Sequence, residues 1–185
     1  MIQAIETTRL RLIPATFDHV HAEINDRSIF ARLIPAEIPA NWPPENTVDA
    51  LPLFLGWLEA APDAVGWFGW YALAKDLGEQ GPVLVGSGGF LGPPRDGIVE
   101  LGYSVLPQFH TRGIATEMVG RLLQWAFEES GELNRIAAET EWSNPASVRV
   151  LGKVGFVRSG QSANAEGQRF ELSREKWMRG MGGRQ

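Results

Sequence analysis

The 185-residue chain has no cysteine. That excludes disulfides, thiolate nucleophiles and cysteine-held metals. Histidine is scarce, with three residues, and His19 and His21 on one helix would point to different faces, so no metal site is expected. Basic charge is short as well: 17 Lys and Arg against 22 Asp and Glu leave a formal net charge of −5. A protein that tracks nucleic-acid phosphates normally carries a basic surplus, so no nucleic-acid partner is expected. The uncharged stretch 81–94 is rich in Gly and Pro and falls short of the roughly 18 apolar residues needed to cross a bilayer. The opening Met1-Ile2-Gln3-Ala4-Ile5-Glu6 lacks the basic-then-apolar plan of a signal peptide. A cytoplasmic protein without a membrane partner is therefore expected. Repeats and low-complexity tracts are also missing.

What is present is an ordinary globular composition, 44% hydrophobic and 21% charged. A single domain over 1–185 is expected, burying roughly 70% of its unfolded surface. Residues 6–13 alternate Leu10 and Leu12 with Arg9 and Arg11, a half-buried strand ended by Pro14. Residues 18–27 suit a short helix. Residues 35–44 hold four prolines and read as a loop. Thr47 can cap a helix running to about Ala60, with Pro52 implying a late start or a kink. Three strands, 66–74, 83–91 and 98–106, are separated by turn chemistry at Asp76-Leu77-Gly78 and Pro93-Pro94-Arg95-Asp96-Gly97. Ala115, Met118, Val119, Leu122, Leu123 and Ala126 then recur at three and four, predicting an amphipathic helix over 113–129. A strand at 135–141, a short helix at 144–154 and a hairpin at 156–160 and 168–172 complete the chain. The expected class is α/β, with a single mixed, mostly antiparallel sheet flanked by helices.

Three segments carry candidate chemistry. His110-Thr111-Arg112-Gly113-Ile114-Ala115-Thr116-Glu117 lies between a strand and a helix, whose first turn offers unpaired N–H groups and partial positive charge to a phosphate. Gly113 and Ala115 would let a diphosphate approach the backbone, while Arg112 and Thr116 add charge and a hydroxyl. The same segment also reads as an ordinary strand-to-helix turn. In Asn144-Pro145-Ala146-Ser147, Asn144 fits an N-cap and Pro145 the first helical position. Ser147 then sits in the first turn with its hydroxyl available to a ligand; a purely structural cap is the alternative. Glu100, among apolar neighbours in a strand, is either on a solvated face or held for acid–base work.

Other patterns are weaker. Gly86-Ser87-Gly88-Gly89 sits mid-strand with no helix after it and lacks the full dinucleotide spacing. Trp42, Trp67 and Trp70 read either as core or as the walls of an aromatic pocket.

Together the three segments resemble the GNAT superfamily of N-acetyltransferases, specifically its RimJ/RimL-like branch. The resemblance begins at Thr8-Arg9-Leu10-Arg11-Leu12-Ile13-Pro14 with Asp18. It continues through Glu100-Leu101-Gly102-Tyr103, Pro107 and Gly113-Ile114-Ala115-Thr116-Glu117, and ends at Asn144, Ser147, Val150-Leu151, Lys153 and Gly155-Phe156. It covers most of residues 6–156. His110 departs from it, standing where the family usually has Arg or Gln, and residues 30–70 match least.

The resemblance implies acetyl-CoA as cosubstrate, without a metal. Its pantetheine arm would lie between two splayed strands near Ser104, Val105 and Leu106. Its diphosphate would lie on His110, Thr111, Arg112, Gly113, Ile114, Ala115 and Thr116, with Asn144 close by. The acceptor would be a primary amine, either a protein N-terminal amine of the ribosomal-protein type or a small molecule, attacking the thioester directly in a ternary complex. Glu100 is the expected base, with Glu139 or Glu141 as replacements. Since neither Tyr71 nor Tyr103 is on the helix after Asn144, Ser147 is the expected proton donor or orienter. The alternative is a non-catalytic coenzyme-A-binding module of the same fold. A homodimer stays open beside a monomer.

Overall fold

The computed structural model describes residues 2–79, 81–163 and 165–182. The expected opening strand is two: β1 (Ile5–Glu6) and β2 (Leu10–Pro14) are joined by a tight turn in which the Thr7 N–H donates to the Leu10 carbonyl at 2.8 Å. Pro14 is the last residue of β2 rather than a terminator beyond it, pairing with Trp70. The expected helix at 18–27 is also two. α1 (Phe17–Asn25) starts on a Thr16–His19 capping box. α2 (Arg27–Leu33) starts immediately after, because the Asp26 carboxylate accepts from the Ser28 and Ile29 N–H groups.

Thr47 does not cap the next helix. It lies within the short α3 (Glu45–Val48), where its hydroxyl donates to the Pro44 carbonyl at 2.7 Å. α4 (Leu51–Ala60) starts late, with Pro52 in its first turn, where a missing N–H costs nothing.

The meander follows as β3 (Trp70–Ala74), β4 (Val83–Phe90) and β5 (Ile98–Val105), antiparallel throughout. β3 begins four residues later than expected, since residues 66–69 precede the strand. A single turn of 3₁₀ helix, Pro107–Phe109, leads to α5 (Ile114–Glu129), which crosses over to β6 (Arg135–Glu141), parallel to β5. α6 (Pro145–Lys153) then precedes the hairpin β7 (Val157–Gln161) and β8 (Gly167–Ser173). A last helix, α7 (Arg174–Gly182), escaped the sequence pattern. The sheet has eight strands in the order β1-β2-β3-β4-β5-β6-β8-β7, mixed and mostly antiparallel as expected.

Alternation along the strands divides the core in two. Trp70, Ala72, Val85, Val99 and Leu101 face α5, which buries Met118, Val119, Leu122 and Leu123 against them. Each such aliphatic side chain contributes about 1.5–3 kcal/mol by leaving water. Tyr71, Leu73 and Leu84 face the other way, under Val20 of α1, Phe30 of α2 and Leu58 of α4. On that second face β6 and β8 carry charge instead: Arg169 pairs with Glu139 at 3.0 Å and Glu171 at 3.3 Å, and Arg135 with Glu171 at 2.9 Å. The site lies where the apolar cover of this face ends.

Candidate active site

β5 and β6 pair only through Ile98↔Arg135 to Leu101↔Ala138. Beyond that point they part. β5 stays paired with β4 up to Gly86↔Val105. The Leu106 N–H donates to the Val85 carbonyl at 2.9 Å and the Leu91 N–H to the Glu100 carbonyl at 3.0 Å. In an antiparallel ladder those bonds make Val105 and Leu101 non-hydrogen-bonded partners of β4, and Tyr103 falls in the same phase. Their own N–H and C=O groups therefore point towards β6, and past Leu101 they face the gap.

This changes the expected pairing near 104–106. Ser104 commits its backbone to β4, and its hydroxyl donates to Asn46 Oδ1 of α3 at 2.8 Å. Leu106 is wholly buried with its amide in the ladder. Tyr103 and Val105 are the residues that present backbone to the gap. The Val105 carbonyl is met by His110 Nε2 at 2.7 Å, so the residue that departs from the family pattern turns back onto the strand.

The loop between Pro107–Phe109 and α5 is built on two left-handed residues, Thr111 (φ 62°) and Gly113 (φ 78°). Gly113 is the N-cap of α5, and no side chain caps the helix there. Ile114 buries its side chain in the core, leaving only its amide for a ligand. Ala115 and Thr116 follow in the first turn, half-buried, while Arg112 is exposed. The Thr111 hydroxyl donates to the His110 carbonyl at 2.7 Å.

Arg9 braces this loop from β2's side: it donates to the Arg112 carbonyl at 2.8 Å and pairs with Glu117 at 2.6 Å. Burial would raise the Glu117 carboxyl. The hydrogen bonds from Thr7 and from the Arg9 backbone and side chain outweigh that and hold it below the usual range.

At the far side of the gap, Asn144 caps α6 by accepting from the Ser147 N–H at 3.0 Å, as its sequence position implied. The Ser147 hydroxyl lies 2.8 Å from the Tyr103 hydroxyl. The sequence reading missed this partner because it sought a tyrosine along α6, whereas Tyr103 comes from β5. Burial pushes the Tyr103 phenol up, and the Ser147 contact draws it partly back.

The gap opens into a cavity of about 620 Å³. Gly102, Tyr103 and Ser104 of β5, Glu139, Thr140 and Glu141 of β6, and Asn144 and Ser147 line one end. Glu23 of α1, Ala50, Leu51 and Phe54 near the start of α4, and Tyr71 and Ser87 line the other. Glu100 is not in this lining. It sits beside it on the charged face, 3.8 Å from Arg169. Burial and the neighbouring Glu139 push its carboxyl up, and Arg169 pulls it partly back.

The tryptophans do not wall the cavity as a group. Trp67 and Trp70 pack with Trp125 at ring-centroid distances of 4.8 and 5.2 Å, and Trp42 packs with Tyr71 at 6.2 Å. Of the three, Trp70 alone touches the cavity. His19 lies in the α1 cap and His21 stacks on Phe17. No cluster of three potential metal ligands occurs, and no helix is long and apolar enough to cross a membrane, among the described residues.

Comparison with known proteins agrees with this geometry. Residues 9–157 match the model of the acetyltransferase (GNAT) domain. The uncharacterized N-acetyltransferase YjdG of Bacillus subtilis (strain 168) is 29% identical over 160 residues, covering 86% of this chain and 92% of its own. The crystal structure of the ribosomal-protein-S5-alanine acetyltransferase from Vibrio fischeri superposes with a TM-score of 0.61 at 20% identity, covering 94% of this chain and 98% of that one. Mycobacterium smegmatis RimJ, in complex with CoA-disulfide, gives 0.61 at 20% identity over 90% and 82%. The chain belongs to the GNAT acetyltransferase family.

Proposed function

We propose that the protein transfers an acetyl group from acetyl-CoA to a primary amine held in the 620 Å³ cavity, an N-terminal or small-molecule amine rather than an internal lysine. The observation that carries the reading is the opened strand pair. Backbone of Tyr103 and Val105 faces the gap, Tyr103 also lines an acid-lined cavity, and the uncapped N-terminus of α5 follows at Gly113. Backbone groups of Tyr103 and Val105 would hold the pantetheine arm as a strand would. The amides of 113–116, with Arg112 and Thr116, would hold the diphosphate. Acetyl-CoA supplies the thioester there.

An acceptor amine of pKa about 8 to 10.4 is mostly protonated at neutral pH and must lose a proton to attack. Glu100, raised by burial and by Glu139, takes that proton, directly or through a water. Glu139 is the second reading for the base, because it lines the cavity and Glu100 does not. Its carboxylate is engaged by Arg169 at 3.0 Å. Tyr103, backed by Ser147, is the group best placed to protonate the departing thiolate.

The test combines coenzyme A binding by thermal shift with mass-detected acetylation of an amine panel. Wild type should show both, and Glu100→Gln should lose about 10²–10⁴-fold in kcat while keeping its melting temperature. Full turnover in Glu100→Gln together with loss in Glu139→Gln reassigns the base. Binding without any acetylation identifies a coenzyme-A-binding module, and no binding ends the proposal.

A further inference from the structure

Charge lines the cavity unevenly. Glu23, Glu139, Glu141 and Glu166 line it, and no Lys, Arg or His does among the described residues. Glu139 has a cation partner in Arg169, shared with Glu171, and Glu141 accepts from the Ser143 hydroxyl at 3.0 Å on an exposed stretch.

Glu23 differs. It is half-buried on α1, and its two partners are neutral donors: Trp42 Nε1 at 2.7 Å on one oxygen and the Tyr71 hydroxyl at 2.6 Å on the other. No cation of the described residues lies within ion-pair reach of it. A carboxylate has about four acceptor sites, so two remain. Burial raises the Glu23 carboxyl, and the bonds from Tyr71 and Trp42 draw it partly back. Those two bonds also fix the carboxylate's position. A rigid, incompletely solvated carboxylate without a counter-ion, facing a cavity, is a docking point for a cation.

The register sets how far this point lies from the gap. Tyr71 pairs with Ser87, and Ser87 with Ser104. Tyr71 is thus two strands from β5, about 10 Å at ~4.8 Å per strand. One nitrogen cannot be at both ends of that span.

We propose that Glu23 binds a second, non-reacting cation of the acceptor, so that the preferred substrate is an amine carrying another ammonium or guanidinium several bonds away. This deepens, and rests on, the reading of the cavity as an amine-acceptor site. The test is calorimetric and does not require turnover. 1,5-Diaminopentane and 1-aminopentane are titrated into the protein saturated with coenzyme A, alongside the dipeptide amides Ala-Lys and Ala-norleucine. The lysine and diamine arms separate a peptide N-terminus from a small polyamine as the source of the second cation.

In wild type the dication of at least one pair should bind about 10- to 100-fold tighter than its monocation, the size of a charge-assisted hydrogen bond. Glu23→Gln keeps the shape and can satisfy both neighbours, since the Tyr71 hydroxyl can turn to accept; it should abolish that preference. Tyr71→Phe removes one tie but keeps the charge, and should retain the preference, which a merely structural Glu23 would not predict. Equal affinities in wild type, a preference that survives Glu23→Gln, or no amine binding at all would overturn the proposal. If the dication binds as expected but no acetylated product forms, the transferase reading fails and the Glu23 site stands.

Discussion

Tyr103 is where a single residue decides most. Its backbone faces the gap, and its phenol lies 2.8 Å from the Ser147 hydroxyl. A phenol keeps its proton at neutral pH, and burial raises this one further, so giving the proton to a thiolate leaving from a thiol of pKa about 8.5 runs against the acidity difference and its effect should be modest. A serine hydroxyl is a far weaker acid, so in the proposed reaction Ser147 would orient and Tyr103 would donate. Tyr103→Phe should lower kcat at the low end of general-acid effects, about 10²-fold, with little change in coenzyme A affinity, because the backbone contacts survive. Ser147→Ala should cost less. A Ser147→Ala loss as large as that of Tyr103→Phe, in steady-state kinetics, would reverse the two roles. Part of this site was legible in the chain itself: Asn144 before Pro145 announces a cap, and Gly113 marks where a helix opens. Tyr103 against Ser147 was not, because they are 44 positions apart and meet only through the crossing of β5 and α6. The tryptophans show the converse. Composition records that Trp42, Trp67 and Trp70 exist, but only packing decides whether a ring walls a cavity or fills a core.

At the scale of elements, the loop before α5 does not stand alone. It is strapped to the opening strands by Arg9, which joins the Arg112 carbonyl, before the helix, to Glu117, one turn inside it. Thr7 adds a 2.6 Å bond to the same carboxylate. The strap ties the first turn of α5 to the strand side of the loop, and under the proposed function it would act on the cofactor through the loop rather than by touching it. Arg9→Met should weaken coenzyme A binding about 10-fold while kcat at saturating acetyl-CoA changes little, the split expected when a binding loop must be ordered by its ligand. Loss confined to kcat would refute this positioning role. Elements with a long, clean period were readable: α5 from its three-and-four recurrence, and β6 to the residue. α2 and α7 were not, since the seven residues after Asp26 make only two turns, too short to set a period, and α7 mixes charge and glycine. The parting of β5 from β6 leaves no mark in either strand's sequence; it is a fact of register, which tertiary packing sets.

Over the whole molecule, the chain's end returns to its middle. Arg174, the first residue of α7, donates to the Phe127 carbonyl at 2.9 Å, to the Leu133 carbonyl at 2.7 Å and to the Ser130 carbonyl, and lies 5.0 Å over the Phe127 ring. Phe127 and Ser130 are at the C-terminal end of α5, where the last carbonyls have no partner within the helix. A cation there also suits the helix's negative end. Trp177 then stacks on Phe127 at 4.9 Å, holding α7 against the core. The helix that begins at Gly113 is therefore closed at its other end by α7, about 24 Å away at 1.5 Å per residue over its 16 residues. Arg174→Met keeps the stem and removes the donors, leaving part-buried carbonyls unpaired. Hydrogen bonds to charged groups are worth about 1.5–3 kcal/mol net, so a loss near 2 kcal/mol is expected, or roughly 4–8 °C in Tm for a chain of this size. Coenzyme A affinity at 25 °C should hold, since the loop and its Arg9 strap lie at the opposite end of α5. A melting curve unmoved by the substitution would show that water replaces the guanidinium without cost. A loss of coenzyme A affinity as large as the loss of stability would show that α5 transmits strain along its length instead of standing as a rigid strut.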